Sequence, residues 1–192
     1  RLAPLVQLED LSDRQVQEGM RALGVVAVRR AADLLRHRSA EVRSLAATAL
    51  GQAGGAAAAE ALAGALIDED EGVRELAMEH LGRLGDPGAV AAVARRLESE
   101  DSATRARASR TLGLMGGDQA LSRLTTVAAA DPSAAVRVAA LRALARHAEE
   151  QGPARVALVS AASGDDDRAR AVACAALRSF LGRDADLPAP CR

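Results

Sequence analysis

The segment VRELAMEHLG at residues 73–82 decides the fold, because variants of it recur along the chain. It aligns without gaps with five other windows: QVQEGMRALG (15–24), VRSLAATALG (42–51), TRARASRTLG (104–113), VRVAALRALA (136–145) and ARAVACAALR (169–178). The starts of the six windows are spaced 27, 31, 31, 32 and 33 residues apart. A period near 30 residues is typical of proteins built from stacked repeats.

Each window carries the apolar pattern of a helix. Its first position is mostly Val, its fifth is always small, and its ninth is Leu in every copy: Leu23, Leu50, Leu81, Leu112, Leu144 and Leu177. Positions four residues apart share one helix face. Three residues before each window stands a residue type that caps helix N-termini: Ser12, Ser39, Asp70, Asp101, Ser133 and Asp166.

A second apolar segment precedes each window, which predicts another helix. Its last apolar position lies seven residues before the window: Leu8, Leu35, Leu66, Leu97, Ala129 and Ala162. Four residues earlier stand Pro4, Ala31, Leu62, Val93, Thr125 and Leu158. Gly-rich links follow several windows and favour tight reversals. Each repeat is therefore predicted to be a hairpin of a first helix, a short turn and a second helix.

A hairpin of this size cannot bury its own apolar face, so neighbouring hairpins must stack. We predict an all-α fold, a right-handed superhelical solenoid of about six hairpins. It forms a single domain over residues 1–183, followed by a loose tail at 184–192 that contains two prolines. The predicted repeats lie at about 1–24, 25–52, 53–83, 84–114, 115–146 and 147–183.

The pattern V-R-x-x-A-x-x-A-L-G, with G-D-P-x-A-V at 85–90, resembles a HEAT repeat. The short repeat length resembles the HEAT-like repeats of phycobiliprotein lyases, the E-Z type. The resemblance covers about residues 3–182 and implies that the second helix of each repeat lines a concave surface. Tetratricopeptide repeats are disfavoured, because they place aromatic residues that this chain lacks.

Composition limits the function. The 192 residues carry a net charge of −1, all 25 basic residues are Arg, and Phe180 is the only aromatic residue of the Phe, Trp and Tyr types. This balance excludes a disordered chain and a globally basic nucleic-acid binder. We expect no membrane segment and no signal peptide. Cys174 and Cys191 do not suggest a disulfide framework, so a cytoplasmic location is expected. The Arg-only, Ala-rich usage suggests a bacterial source.

The resemblance makes the outward positions of the second helices the floor of a groove. This predicted surface combines apolar and Arg residues, which suit protein recognition: Met20, Arg21, Met78, Glu79, Arg110, Val138, Leu141, Arg142 and Cys174. The predicted function is a non-catalytic scaffold for a protein or peptide partner. We expect no cofactor, no metal, and a monomer or weak homo-oligomer.

The second position of the windows is an Arg column: Arg43, Arg74, Arg105, Arg137 and Arg170. In HEAT families an Arg at this place commonly pairs with an acid from a turn of its own or a neighbouring repeat. The resemblance therefore implies a structural ladder, with these candidate acids: Asp70, Asp101, Asp131 and Asp166. The planar guanidinium can hold two acceptors at once.

Two other functions remain open. A bilin lyase-type or chaperone-like subunit is implied by the resemblance and would use the Cys174 thiol. A DNA-binding role could use the basic group Arg29, Arg30, Arg36, Arg38 and Arg43. Nucleic acid is nevertheless disfavoured, because the chain lacks aromatic side chains for base stacking. The histidines match no catalytic motif, and the acidic runs at 68–71 and 165–167 are interpreted as helix caps.

Overall fold

The computed structural model describes residues 13–85, 87–148, 152–181 and 187–191, with side chains from residue 24 to residue 180 and from 187 to 191 within these ranges. These residues form ten α-helices, two short 3-10 helices and no strand. The α-helices are α1 (Asp13–Leu34), α2 (Ala40–Ala53), α3 (Gly55–Ala65), α4 (Glu71–Leu84), α5 (Pro87–Ala94), α6 (Ser102–Met115), α7 (Gly117–Ala130), α8 (Ala134–Ala145), α9 (Pro153–Ala162) and α10 (Asp167–Leu181). The 3-10 helices are Arg95–Glu98 and Ala189–Cys191.

The helices stack in two layers, as the repeat predicts. The second helices α2, α4, α6, α8 and α10 contact one another in that order, and the first helices α3, α5, α7 and α9 form a parallel row. Each first helix also packs on the second helix of its own hairpin. The predicted all-α solenoid of stacked hairpins is confirmed.

The first predicted repeat boundary does not correspond to a turn. Helix α1 runs without interruption through Gly24, so the window at 15–24 and the following first helix form one element. The later links use glycines with positive φ, such as Gly54 at 68° and Gly116 at 66°. The residues after Gly24 include no such pair of glycines, and the first two windows are spaced 27 residues apart in place of 31 to 33. The helix therefore continues without a turn.

The predicted caps begin most of the second helices. The Asp70 carboxylate accepts a hydrogen bond from the Val73 amide at 3.0 Å, and Ser39, Asp101 and Asp166 cap their helices in the same way. Ser133 starts α8 without a side-chain cap bond. Its own amide instead donates to Asp131 Oδ1 at 2.8 Å. The cap predicted at Ser12 lies outside the described residues.

The core column of the first helices shifts by one residue in α7. Leu62 and Leu66 are fully buried on α3, but the equivalent buried residues on α7 are Leu124 and Ala128. Thr125 and Ala129, the positions that the spacing predicts, lie one residue further on, and Ala129 is exposed. Ala128 lies eight residues before the window at 136, whereas Leu66 lies seven residues before the window at 73, so the register is displaced by one residue.

Successive second helices approach closely at small residues. A Cβ added at Gly113 on α6 would lie 2.5 Å from the Cβ of Ala143 on α8. At the equivalent place a side chain at Gly51 would overlap the His80 ring on α4. His80 is therefore a packing residue, and its Nε2 has no hydrogen-bond partner among the described residues.

The C-terminal segment is not a loose tail over the residues that the structure describes. Cys174 on α10 forms a disulfide with Cys191, with a Cα–Cα distance of 5.0 Å. Leu187 and Cys191 are buried, and Arg178 Nε donates to the Cys191 carbonyl at 2.8 Å. The prediction of a loose tail is therefore wrong for residues 187–191, and the two cysteines, which did not suggest a disulfide framework, are bonded to each other. The bond joins residues 17 apart, and only the folded-back segment brings them together.

This segment closes the end of the stack. Arg178 occupies the tenth window position, at which Gly51 and Gly113 contact the next second helix. No further helix follows α10 among the described residues, and the 3-10 helix at 189–191 contacts this position instead. The disulfide therefore fastens a cap over the face that another repeat would cover.

We expect Gly113→Ala to lower the free energy of unfolding. Overpacking typically costs about 1–3 kcal/mol, partly offset by the ~1 kcal/mol that Ala gains over Gly in a helix. Urea denaturation followed by circular dichroism measures the change. Gly24→Ala on α1 is the control, because nothing lies within 4 Å of its added Cβ, and it should be neutral or stabilising. Equal stability of the two variants would contradict close packing at Gly113.

We expect Cys191→Ser to lower the free energy of unfolding by about 2–4 kcal/mol, the usual effect of losing a disulfide that closes a loop of this size. The urea midpoint measures it. Dithiothreitol should lower the midpoint of the wild-type protein and leave that of the variant unchanged. A wild-type midpoint insensitive to the reductant would show that the two cysteines are not bonded.

Candidate binding groove

A groove of about 530 Å³ lies on the layer of second helices, mainly between α6 and α8. Its apolar part includes Met78 at the edge on α4, Leu114 on α6 and Val138 on α8. Leu114 is 41% exposed, a large fraction for a Leu side chain in a stacked helix. The groove thus leaves apolar surface in contact with water that a bound partner could cover.

Three arginines accompany the apolar residues. Arg110 lies on α6, and Arg142 and Arg146 lie one turn apart on α8. All three side chains are exposed. The groove is therefore an apolar strip with guanidinium groups contributed by both of the helices that form it.

The structure brings together four of the residues that the sequence analysis predicted for this surface: Met78, Arg110, Val138 and Arg142. They stand at outward positions of three consecutive windows, and the stacking of α4, α6 and α8 aligns those positions. Sequence reasoning missed Leu114 and Arg146. Each lies four residues after a predicted residue on the same helix face, so extending the pattern by one turn would have found them.

Two other predicted residues do not reach the groove because they are buried. Leu141 is fully buried in the core. Cys174 is 5% exposed and is held in the disulfide with Cys191. Both occupy the same window position as Met78. The outward direction inferred from helix geometry alone is therefore wrong at these two places.

The remaining predicted groove residues lie elsewhere. Glu79 is exposed on α4 and forms an ion pair with Arg83 one turn away, outside the groove. The side chains of Met20 and Arg21 lie outside the described residues.

Among the described residues, the groove arginines have no acidic partner. Arg110 Nε donates only to the Ala106 carbonyl of its own helix, at 3.4 Å. Within the described part of the chain no carboxylate forms an ion pair with Arg110, Arg142 or Arg146. Burial, and after it the neighbouring Arg74 and Arg110 charges, lowers the pKa of Arg107 on the same helix. This region therefore carries uncompensated positive charge.

Ion pairs connect the turns of successive repeats. Arg43 Nε and Nη2 donate to the two oxygens of Asp68, each at 2.8 Å. Arg105 binds Asp131 in the same two-pronged way, at 2.8 and 3.0 Å, and Arg137 Nε donates to Asp166 at 3.0 Å. The fork geometry of Arg suits such paired acceptors.

Each of these arginines also fastens its own turn. Arg105 Nη1 donates to the carbonyl oxygens of Ser99 and Glu100, both at 2.9 Å. The other members of the column make equivalent bonds to the turns that precede them: Arg43, Arg74, Arg137 and Arg170. One side chain thus ties two consecutive turns together where an acid is present.

Of the four candidate acids, Asp131 and Asp166 pair with the Arg column and the other two do not. Asp70 and Asp101 cap helices and form no ion pair with the column, whereas Asp68 supplies a partner that was not considered. Arg74 has no such acid, since Ser99 stands at the place equivalent to Asp68. It binds only the carbonyls of the turn before it. The acid in the ladder thus sits earlier in the turn than the cap residue, except at Asp166.

Arg170, the last member of the column, pairs with Asp167 on its own helix, because no repeat follows it among the described residues. Asp166 combines two functions, accepting both from Arg137 and from the Ala169 amide. These bonds lower the pKa of the Asp166 carboxyl, and the Arg105 guanidinium does the same for Asp131. The hydrogen bonds to Asp68 and Asp131 raise the pKa of Arg43 and Arg105.

The other candidate chemistry is used structurally. His147 Nε2 lies 2.7 Å from the Gly113 carbonyl, and His37 Nδ1 accepts from the Ser39 amide. Arg43 of the predicted basic group belongs to the ladder. No group of His, Cys, Asp and Glu among the described residues could hold a metal ion. In the described part of the chain, no helix combines the length and apolar character that a membrane span requires.

A larger cleft, of about 670 Å³, lies on the other layer between α7 and α9. Ala128, which lines the cleft, occupies the core position that Leu66 fills directly after α3, and its smaller side chain leaves space there. The charged groups Arg137 and Asp166 at its edge already bind each other. The cleft therefore follows from smaller core residues and offers a ligand no free pair of charges.

The chain is similar to known repeat proteins. A family model for HEAT repeats matches residues 28–103 and 92–178. No curated protein shows significant sequence similarity to the chain. The structure is similar to that of the complex of CpcE and CpcF of phycocyanin lyase from Nostoc sp. PCC7120, with 22% identity and a TM-score of 0.54 over 79% of this chain and 98% of that one.

Two further solved structures are similar. Human deoxyhypusine hydroxylase is 20% identical over 90% of this chain and 81% of that chain, with a TM-score of 0.51. A designed armadillo repeat protein in complex with the peptide (KR)4 is 20% identical over 90% and 96%, with a TM-score of 0.48. At these identities the likenesses to the CpcE–CpcF complex and to deoxyhypusine hydroxylase show a common repeat fold.

We expect Asp131→Asn to lower the free energy of unfolding at pH 7. The free energy of unfolding of the variant should also change less than that of the wild type when the pH is lowered. The pKa of Asp131 is lower in the folded protein than its unfolded value of about 3.9. Its contribution is therefore complete above that value and is lost as the pH falls through the folded-state pKa. Urea midpoints are measured for wild type and variant at pH 7 and at pH 3. The difference between the two proteins should be smaller at pH 3 than at pH 7.

The control for this experiment is Asp165→Asn, an exposed carboxylate outside the ladder. Its urea midpoint should follow that of the wild type at both pH values. If Asp131→Asn also follows the wild type at both, the Arg105–Asp131 pair does not stabilise the stack.

Proposed function

The chain belongs to the HEAT-repeat family, and from this premise we propose that it is a scaffold that binds a segment of a partner protein in the groove between α6 and α8. The observation that carries the proposal is the convergence of exposed apolar side chains and unpaired arginines in one groove. Covering Leu114 and the exposed parts of Met78 and Val138 would remove apolar surface from water. Arg side chains are common among the residues that dominate protein interfaces.

A rigid groove supports this function. The turns beside α6 and α8 are tied by Arg105–Asp131 and Arg137–Asp166, and the helices touch closely at Gly113 and Ala143. A surface held in place before binding loses little conformational entropy when the partner arrives. In the family the second helices line the concave side of the solenoid, which would let a partner segment lie along the groove.

We propose a non-catalytic function. The lyase-type alternative depended on a free Cys174 thiol, and in this structure the sulfur is bonded to Cys191 and 5% exposed. A thiolate is the reactive form of cysteine, so the oxidised side chain is no nucleophile. The names of the two structural neighbours refer to a lyase and a hydroxylase, but the fold they share with this chain does not by itself transfer their chemistry.

The disulfide also bears on location. Disulfides persist in oxidising compartments and are rare in the reducing cytosol. We therefore propose an oxidising compartment in place of the cytoplasmic location expected from the cysteine count. The segment at 187–191 covers the end of the stack at α10. We therefore further propose that no second copy of the chain stacks on α10 and that the protein does not self-associate through this end.

The test is selection from a phage-displayed library of random 12-residue peptides, using wild-type protein and the double variant Met78→Asp, Val138→Asp. Leu141 is not used, because it is buried in the core. Peptides that bind in the groove should bind the double variant at least about tenfold more weakly, a loss of ~1.4 kcal/mol. The circular dichroism spectrum should be unchanged.

Val156→Asp is the matched control. Val156 is 66% exposed and lines the cleft between α7 and α9 on the other layer. This variant should bind the selected peptides as the wild type does. If Val156→Asp abolishes binding and the groove variant does not, the binding surface is the first-helix layer and the proposal is wrong.

A further inference from the structure

The charges on the described arginines are distributed unevenly. In the ladder, Arg43, Arg105 and Arg137 are each matched by an acid. On α4 the pair Arg83–Glu79 neutralises the positions that correspond to Arg146 and Arg142 on α8. On α8 the same two positions both carry Arg, and among the described residues no acid pairs with either of them.

The arrangement of these charges is suited to one long ligand. Arg142 and Arg146 are four residues apart on one face of α8, and Arg110 lies across the groove on α6. Helices in contact have axes about 8–10 Å apart, so a segment between these side chains would have guanidinium groups on both sides. From Ala135 to Arg146 the α8 side of the groove measures about 17 Å, given the helical rise of 1.5 Å per residue.

The length and the lining define the occupant. About 17 Å accommodates about five residues of extended chain, or about eleven residues of a helix. The apolar residues Met78, Leu114 and Val138 would contact apolar side chains of that segment. The guanidinium groups would pair with carboxylates, and Arg forms two parallel hydrogen bonds to a carboxylate.

We infer that the groove selects an acidic partner segment, with Asp or Glu residues flanking at least one large apolar side chain. This inference rests on the function proposed above and specifies the chemistry of the partner. Exposed ion pairs individually contribute little affinity, so the apolar contacts supply much of the binding and the charges supply the choice of partner. Basic segments would meet like charge on both sides of the groove.

Nucleic acid is the other polyanion that could match this charge. Proteins that bind single strands combine basic grooves with aromatic side chains on which bases stack. The apolar lining of this groove consists of aliphatic side chains, among them Met78, Leu114 and Val138, and includes no aromatic side chain. An apolar strip gains nothing from a hydrated phosphate backbone, so the geometry favours an acidic peptide.

The experiment sequences the peptides selected by the wild type and by the charge-reversed double variant Arg110→Glu, Arg142→Glu from the same random 12-residue library. Peptides that depend on Met78 and Val138 should carry an excess of Asp and Glu beside an apolar residue when the wild type selects them. The charge-reversed variant should select peptides enriched in Lys and Arg instead.

The best acidic peptide is then labelled with fluorescein and titrated by anisotropy. Arg142→Gln should weaken its binding about two- to fivefold, and raising NaCl from 50 to 200 mM should weaken it further. Arg123→Gln is the matched control, an exposed arginine on α7 outside the groove, and should leave the dissociation constant unchanged. Unchanged spectra in circular dichroism show that each variant is folded.

The outcomes separate the two proposals. Groove-dependent peptides without an acidic excess, or the same peptides selected by the wild type and the charge-reversed variant, would overturn the acidic partner and leave the binding function standing. No peptide sensitive to Met78 and Val138 would overturn both. Tighter binding of a labelled 20-nucleotide DNA, single-stranded or duplex, with loss in Arg142→Gln would overturn the peptide in favour of nucleic acid.

Discussion

The mutual covering of apolar helix faces by consecutive hairpins is the interaction on which the rest of this structure depends. A hairpin of about thirty residues cannot bury its Leu and Val side chains by itself, and each inner hairpin here is covered by the hairpins before and after it. Small residues make that closure tight. Where Gly113 faces Ala143, even one added carbon would collide. The close spacing of these second helices therefore depends on the absence of a side chain at Gly113.

The groove is a consequence of that fixed spacing. Outward positions of α4, α6 and α8 come into line because these helices stack on one another in order, and the Arg ladder connects the turns that precede α6, α8 and α10. The cleft between α7 and α9 has the opposite origin, since it forms where core side chains become smaller. One cavity therefore reflects aligned surface residues and the other reflects reduced packing.

A solenoid needs a device at each end, because the last hairpin has no neighbour to cover it. At the C-terminal end this device is a short segment that carries buried Leu187 and a disulfide to α10. The segment is too short to bury a core of its own, and the covalent bond holds it against α10. The same bond removes the only free thiol chemistry that the described chain offers and favours an oxidising environment.

The sequence by itself determined the helical repeat, most helix starts and the core columns, because periodicity and capping depend on residues a few positions apart. It also identified Met78, Arg110, Val138 and Arg142, whose outward direction follows from helix geometry. Only the tertiary structure decided the burial of Leu141, the acids that complete the Arg ladder, the register of α7 and the Cys174–Cys191 bond. Each of these depends on contacts between residues of different hairpins or of the C-terminal segment, which a pattern of nearby positions does not specify.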